Sequence, residues 1–109
     1  MSAADGGPTL DRLIHEPSRL AILTVLSSTK NVDFVFLTRT LKLTNGNLSS
    51  HLTKLEEAGL VTITKSFVGK KPHTSVGLTS TGRARIRSHW EQLDRLKSLA
   101  TPSDSSPAG

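Results

Sequence analysis

The sequence predicts an α+β, mostly α fold, with one β-hairpin set between short helices and a long last helix. Three observations predict it. Leucines recur at helical spacing through the first part of the chain. From Leu60 the period changes, and β-branched residues alternate loosely with Thr, Lys and Ser up to Leu78. A helical stripe then returns and continues to Leu99.

Each element has its own local reason. Leu10, Leu13 and Ile14 form a short apolar stripe at helical spacing. Pro17 fits the first turn of the next helix, where its missing N–H does no harm. Leu20, Leu23, Val25 and Leu26 give that helix a buried face, and it is expected to end near Ser27–Lys30. Asp33 is a capping residue for a third helix, whose apolar face is Phe34, Leu37 and Leu41. Leu43-Thr44-Asn45-Gly46 reads as a tight turn, with Thr44 as the cap of a fourth helix. There Leu48, Leu52 and Leu55 recur at i, i+4 and i+7, and Gly59 supplies a left-handed C-cap.

Leu60, Val61, Ile63, Phe67 and Val68 then read as a strand. Gly69-Lys70-Lys71-Pro72 reads as a loop tip, and residues 74–78 as the returning strand. Thr79 caps the last helix, whose stripe is Ile86, Trp90, Leu93, Leu96 and Ala100. Residues 9–100 are expected to form one domain. Residues 1–8 and 101–109, rich in small residues, Gly and Pro, are expected to be disordered tails.

Composition narrows the chemistry. The 109-residue chain carries a net charge of +5 and no cysteine. Disulfide frameworks, thiolate metal sites and cysteine nucleophiles are therefore excluded. No apolar run approaches the roughly 18 residues of a membrane helix, and the N-terminal residues lack the pattern of a signal peptide. A cytoplasmic location and no membrane partner are expected. The charge is concentrated. Between Phe34 and His89 there are nine Lys and Arg residues and two acids, Glu56 and Glu57. Such an asymmetry suits a polyanion.

Residues 33–58 fit a helix-turn-helix, and the fourth helix has the proportions of one that lies in a major groove. Opposite its leucines it presents Asn45, Asn47, Ser49, Ser50, Thr53 and Lys54, with Thr44 at its start. Asn pairs bidentately with adenine, and Ser reaches base edges or phosphates. The hairpin adds Lys65, Lys70 and Lys71 around a turn shaped by Gly69 and Pro72, as a wing on the DNA backbone requires. Arg83, just beyond the hairpin, is a further candidate for the backbone.

Four segments carry a resemblance to a known group. They are Pro17-Ser18-Arg19-Leu20-Ala21-Ile22-Leu23, then residues 48–61 (LSSHLTKLEEAGLV), then Phe67-Val68-Gly69-Lys70-Lys71-Pro72, and Leu78-Thr79-Ser80-Thr81-Gly82-Arg83. In order and spacing the chain resembles winged helix-turn-helix transcriptional regulators related to the MarR and ArsR families, over about residues 10–98. The resemblance implies a winged helix-turn-helix with a two-stranded wing and a long C-terminal helix. It also implies a homodimer built by the first and last helices, with the recognition helix and wing on double-stranded DNA. Candidate interface residues are Leu10, Leu13, Ile86, Trp90, Leu93 and Leu96. Many relatives carry Arg or Gln at exposed recognition positions where this chain has Gly46 and Ser50.

The remaining signals are weaker. His15, His73 and His89 are scattered and do not make the three or four converging ligands of a zinc site. His51 on the recognition helix could contact phosphate or pack its ring beside the turn, and the structural role is the expectation. Arg83, Arg85 and Arg87 cannot share one helical face. Glu56 and Glu57 are adjacent and lack a catalytic partner, and no nucleophile motif or phosphate loop appears. The expectation is therefore a sequence-specific, double-stranded-DNA-binding homodimeric regulator with no enzymatic activity and no cofactor; the resemblance implies repression as the commoner outcome and leaves activation open. Whether it has a small-molecule effector is open. The rival reading is a winged-helix module that binds protein instead of DNA.

Overall fold

Capping side chains set the helix boundaries in the computed structural model, which describes residues 11–100. Leu10 and both expected tails lie outside the described residues. Helix α1 (Arg12–His15) begins where the Asp11 carboxylate accepts a hydrogen bond from the Leu13 amide. Helix α2 (Pro17–Ser27) begins with proline, and the Glu16 carboxylate accepts from the Arg19 amide at 2.8 Å. That hydrogen bond, aided by His51 and the Arg19 guanidinium nearby, holds the Glu16 carboxyl below its ordinary value against the opposing effect of partial burial. Arg19 Nε in turn donates to the Leu13 carbonyl, closing the C-terminal end of α1.

The buried face of α2 is Ile22, Leu23 and Leu26. Leu20 and Val25, expected to be buried, are half-buried at its margins. A short strand follows, β1 (Val32–Asp33), and then α3 (Phe34–Leu41), capped by the Asp33 carboxylate. Lys42 ends α3 in the left-handed region at φ 56°. Thr44 then accepts the Asn47 amide at 3.0 Å and starts α4 (Asn45–Glu57). The turn is thus shorter than expected. Asn45 and Gly46 belong to the first turn of α4 because the Thr44 hydroxyl satisfies that turn ahead of them.

Helix α4 ends in a Schellman motif. The Leu60 amide bonds the Leu55 carbonyl and the Gly59 amide bonds the Glu56 carbonyl, both at 2.9 Å. Gly59 sits at φ 77°, a conformation that costs other residues Cβ strain. Leu55 and Leu60, the two apolar ends of the motif, are fully buried.

Strands β2 (Val61–Val68) and β3 (Lys71–Leu78) pair antiparallel from Val61↔Leu78 out to Val68↔Lys71. Lys71 and Pro72 are therefore strand residues, and the loop is only Gly69-Lys70. Strand β1 adds to the other edge of β3, with Val32 opposite Val76. The sheet has three strands in the order β1-β3-β2, and only its outer part is a two-stranded wing. A strand of two residues shows no period in a sequence, so it was not expected.

Helix α5 (Ser80–Ala100) starts against the end of α4. The Thr79 hydroxyl donates to the Gly59 carbonyl at 2.7 Å and accepts from the Gly82 amide at 2.9 Å. The Thr79 amide donates to the Leu60 carbonyl. The fit is tight enough that a Cβ on Gly82 would lie 2.1 Å from the Leu60 carbonyl oxygen. The core lies inside this frame, with Leu48, Leu52 and Leu55 of α4 packed among Ile14, Leu23, Leu26, Leu37, Leu60, Val76 and Ile86. Burial of each such leucine is worth about 1.5–3 kcal/mol.

The last helix is rotated from its expected stripe. Its buried residues are Gly82, Ile86 and His89, while Trp90 is 40% exposed. His89 is 1% exposed, and neither ring nitrogen has a hydrogen-bond partner among the described residues. Its ring lies 5.3 Å from that of His15 and 5.8 Å from that of Trp90. Burial pushes the His89 imidazole below its ordinary value near 6.5, and His15 adds to this while Asp11 opposes it.

Two outcomes follow from this packing. In an open helix, Gly82→Ala would add up to about 1 kcal/mol of stability. Here the contact with the Leu60 carbonyl reverses the sign, and urea unfolding should show a loss of about 1–3 kcal/mol. For His89, the unfolded chain binds the proton more readily than the folded one. Its contribution to stability is therefore present above pH 6.5 and is lost as pH falls toward the lowered folded value. Urea midpoints between pH 5 and 8 should show His89→Phe gaining on the wild type as the solution is acidified.

Candidate nucleic-acid interface

Helix α4 separates its faces completely. Leu48, Leu52 and Leu55 are buried, whereas Asn45, Asn47, Ser49, Ser50, Thr53 and Lys54 are exposed, as is Thr44 at the cap. The leucine spacing in the sequence dictates this division. The acids of the helix, Glu56 and Glu57, lie at its C-terminal end. The N-terminal part therefore combines uncharged hydrogen-bonding side chains with the positive end of the helix dipole. Two of its hydroxyls are already engaged: Thr44 accepts the Asn47 amide, and Thr53 donates to the Ser49 carbonyl at 2.9 Å.

A cleft of about 740 Å³ lies between α4 and the hairpin. Ser49, Leu52, Thr53 and Glu56 line it from the helix, Ile63, Lys65 and Thr74 from the strands, and Phe34 from α3. It brings together three residues singled out from the sequence, Ser49, Thr53 and Lys65. Glu56 faces the same space and was not among them.

The wing lysines divide differently. Side chains alternate along a strand, so Ile63, Lys65 and Phe67 share one face of the hairpin, with Thr74 and Pro72 opposite the last two. Lys71 pairs with Val68, on the other face, and Lys70 stands in the loop. The basic tip thus presents cations on both sides. Lys65, Lys70 and Lys71 are all exposed.

Arg83 lies just beyond the hairpin, in the first turn of α5. Its guanidinium donates to the carbonyls of Ser27 and Thr29 at 3.3 and 3.2 Å, closing the C-terminal end of α2. Cations at a helix C-terminus interact favourably with its unpaired carbonyls. Arg85 pairs with the Asp11 carboxylate and so ties α5 to the start of α1. His73 lies 2.8 Å from the Asp33 carboxylate that caps α3. These partners are distant in sequence, and no periodicity signals them.

His51, half-buried, turns from the exposed face of α4 toward α2. Its Nδ1 is 3.3 Å from Arg19 Nη1 and 3.9 Å from the Glu16 carboxylate. Sequence reasoning placed it beside the turn. Its actual neighbours are the capping groups of α2.

Of the residues considered for a subunit interface, Ile86 is buried within the chain's own core, and Leu13 packs half-buried against that core. Leu93 and Leu96 are half-buried along α5, and Trp90 is exposed beside them. Trp90, Arg87, Arg83, Ile86 and Ser27 border a shallow groove of about 210 Å³. Among the described residues, no group of three or more metal-ligating side chains converges. No described helix is long and apolar enough to cross a membrane.

Comparison with known proteins agrees with this geometry. The chain is 33% identical over 85 residues to an uncharacterized protein of Methanocaldococcus jannaschii, covering 78% of this chain and 92% of the relative. The structure is similar to that of a transcriptional regulator homologue from Pyrococcus horikoshii, with a TM-score of 0.78 and 28% identity. That match covers 84% of this chain and 91% of the archaeal one. It is also similar to the transcriptional repressor CouR bound to a 23-mer DNA duplex, with a TM-score of 0.66 and 25% identity over 81% of this chain and 65% of CouR. The sequence profile of the winged helix DNA-binding domain matches residues 18–97, from the first turn of α2 almost to the end of α5. The chain belongs to that family, as a winged-helix transcriptional-regulator domain related to the MarR and ArsR types.

Proposed function

We propose that the chain is a homodimeric repressor that reads double-stranded DNA with α4 in the major groove and the hairpin on the backbone or in the minor groove. One observation carries this reading. Ser49 and Thr53 on the exposed face of α4 and Lys65 on the hairpin border the same cleft, with Glu56 at the C-terminal end of the helix, so a duplex seated against the N-terminal part of α4 meets the hairpin. Thr44, Asn45, Asn47, Ser49, Ser50, Thr53 and Lys54 are the contacts offered by the helix. Lys65, Lys70 and Lys71 are those offered by the wing. Arg83 is better suited to capping α2 than to holding phosphate, since its guanidinium is already shared by two carbonyls.

Short polar side chains favour modest base discrimination, with the lysines contributing most of the affinity. The repressor role is supported by the likeness to CouR, which is itself a repressor seen on DNA. Dimerisation is supported by the form of α5. Its second half extends with Trp90 and Leu99 exposed, and a lone helix of this kind gains stability from a covered apolar face. Two-fold symmetry then implies a pseudo-palindromic site with half-sites about 34–36 Å apart.

Salt titration tests the DNA reading directly. The logarithm of the binding constant should fall linearly with the logarithm of salt, with a slope near −0.9 for each phosphate neutralised. Replacing Lys70 and Lys71 together by Ala should weaken all duplexes alike and reduce that slope by about 2. Purified protein that ignores every duplex at low ionic strength would overturn the reading. Subunit contact has its own test. Trp90→Glu changes an exposed residue, so the fold should survive, and sedimentation should show monomers where the wild type is a dimer. A monomeric wild type at micromolar concentration would reject the dimer.

A further inference from the structure

The wing ends in apolar surface that the core does not use. Phe67 is 72% exposed and Val68 is 64% exposed, at the end of a strand whose inner residue Val61 is buried. A solvated strand end is ordinarily kept polar or charged, since bare apolar edges invite association. Here the polar residues are present and the aromatic stands among them.

Its direction is fixed by strand alternation. Phe67 shares the hairpin face of Ile63 and Lys65, the two β2 residues that line the cleft beside α4. Its cross-strand neighbour is Pro72, a second apolar residue, and Thr74 lies opposite Lys65. The cleft face of the wing therefore runs outward from Ile63 through Lys65 to an apolar pair at the tip. Lys65 lies two residues inward of Phe67 on the same face and Lys70 stands in the loop beyond it, so cations flank the pair, while Lys71 lies on the reverse face with Val68.

An apolar pair flanked by cations fits a surface that is anionic at its rim and apolar within. The minor groove of duplex DNA is such a surface, with phosphates along both edges and sugars and base steps between them. Apolar side chains pressed between base steps part the stack and bend the duplex. We propose that Phe67, backed by Pro72 across the hairpin, is an apolar wedge that enters the minor groove next to the major groove occupied by α4. The proposal rests on the DNA-binding reading given above. It assigns the wing two separable tasks: the lysines set the dependence on salt, and Phe67 sets an affinity and a local distortion that salt leaves alone.

The test compares the full wild-type chain with Phe67→Ala and Phe67→Leu on duplexes carrying 2-aminopurine at successive steps across the protected region. Phe67 is exposed, so thermal midpoints should match and losses should not reflect unfolding. Phe67→Ala should bind about tenfold more weakly, the scale of losing one buried phenyl ring, with an unchanged salt slope. The fluorescence rise that marks an unstacked step should appear with wild type and vanish with Phe67→Ala. Phe67→Leu should recover part of both. If the wild type binds DNA and Phe67→Ala binds equally well with the same fluorescence, the wedge is overturned and the DNA reading stands. If the wild type binds no duplex, both fall. A Phe67→Ala chain that keeps its DNA affinity but loses binding to anionic phospholipid vesicles, or changes its sedimentation, would assign the tip to a membrane or a second copy and overturn the wedge.

Discussion

The corner where α4, β2 and α5 meet governs the rest of the structure. Leu60 lies at its centre. Its amide closes the Schellman motif of α4, its carbonyl accepts the Thr79 amide, and its side chain is fully buried. Thr79 bonds the Gly59 carbonyl on one side and the Gly82 amide on the other. These bonds pair polar groups at two helix ends that the helices themselves leave without partners. They also fix three directions at once: the axis of α4, the exit of the hairpin and the start of α5. The cleft between α4 and the hairpin keeps its shape because this corner keeps its own.

Several of these features were readable in the sequence, for a physical reason. The spacing of Leu48, Leu52 and Leu55 defines a face without reference to anything else in the chain. Gly59 followed by Leu60 defines a helix end, and Thr79 defines the next start. Local chemistry decides such elements, so the element order and the polar face of α4 could be anticipated. The hairpin could be anticipated too, although its loop was drawn too long. A two-residue loop that starts with Gly69 at φ 67° lets Lys71 and Pro72 pair as strand residues.

The rest depended on contacts between remote parts of the chain. Along α5, Ile86 is followed at i+3 by His89 and at i+4 by Trp90, and both spacings satisfy a helical stripe. Hydrophobicity favours Trp90. The structure buries His89 instead, with His15 of α1 beside it. Arg83 finds its carbonyl partners in α2 and the turn beyond, and Arg85 finds Asp11 before α1. No window of the sequence contains both members of these pairs. Strand β1 was missed because pairing with β3, and not composition, makes Val32 and Asp33 a strand.

The linkage through Arg19 has a mechanical consequence. One guanidinium joins the Leu13 carbonyl of α1 to the imidazole of His51 in the middle of α4, and Glu16, from the cap of α2, stands beside the same ring. Helices α1 and α4 are thereby linked through Arg19 of α2, at 2.7 and 3.3 Å, and Ile14 of α1 shares the buried core with Leu48, Leu52 and Leu55. A tilt of α1 therefore has a polar route to α4 that runs through a single side chain of α2. In a two-fold assembly built on the terminal helices, the arrangement of those helices would set the distance between the two reading heads, much as a hinge sets the span of a pair of calipers.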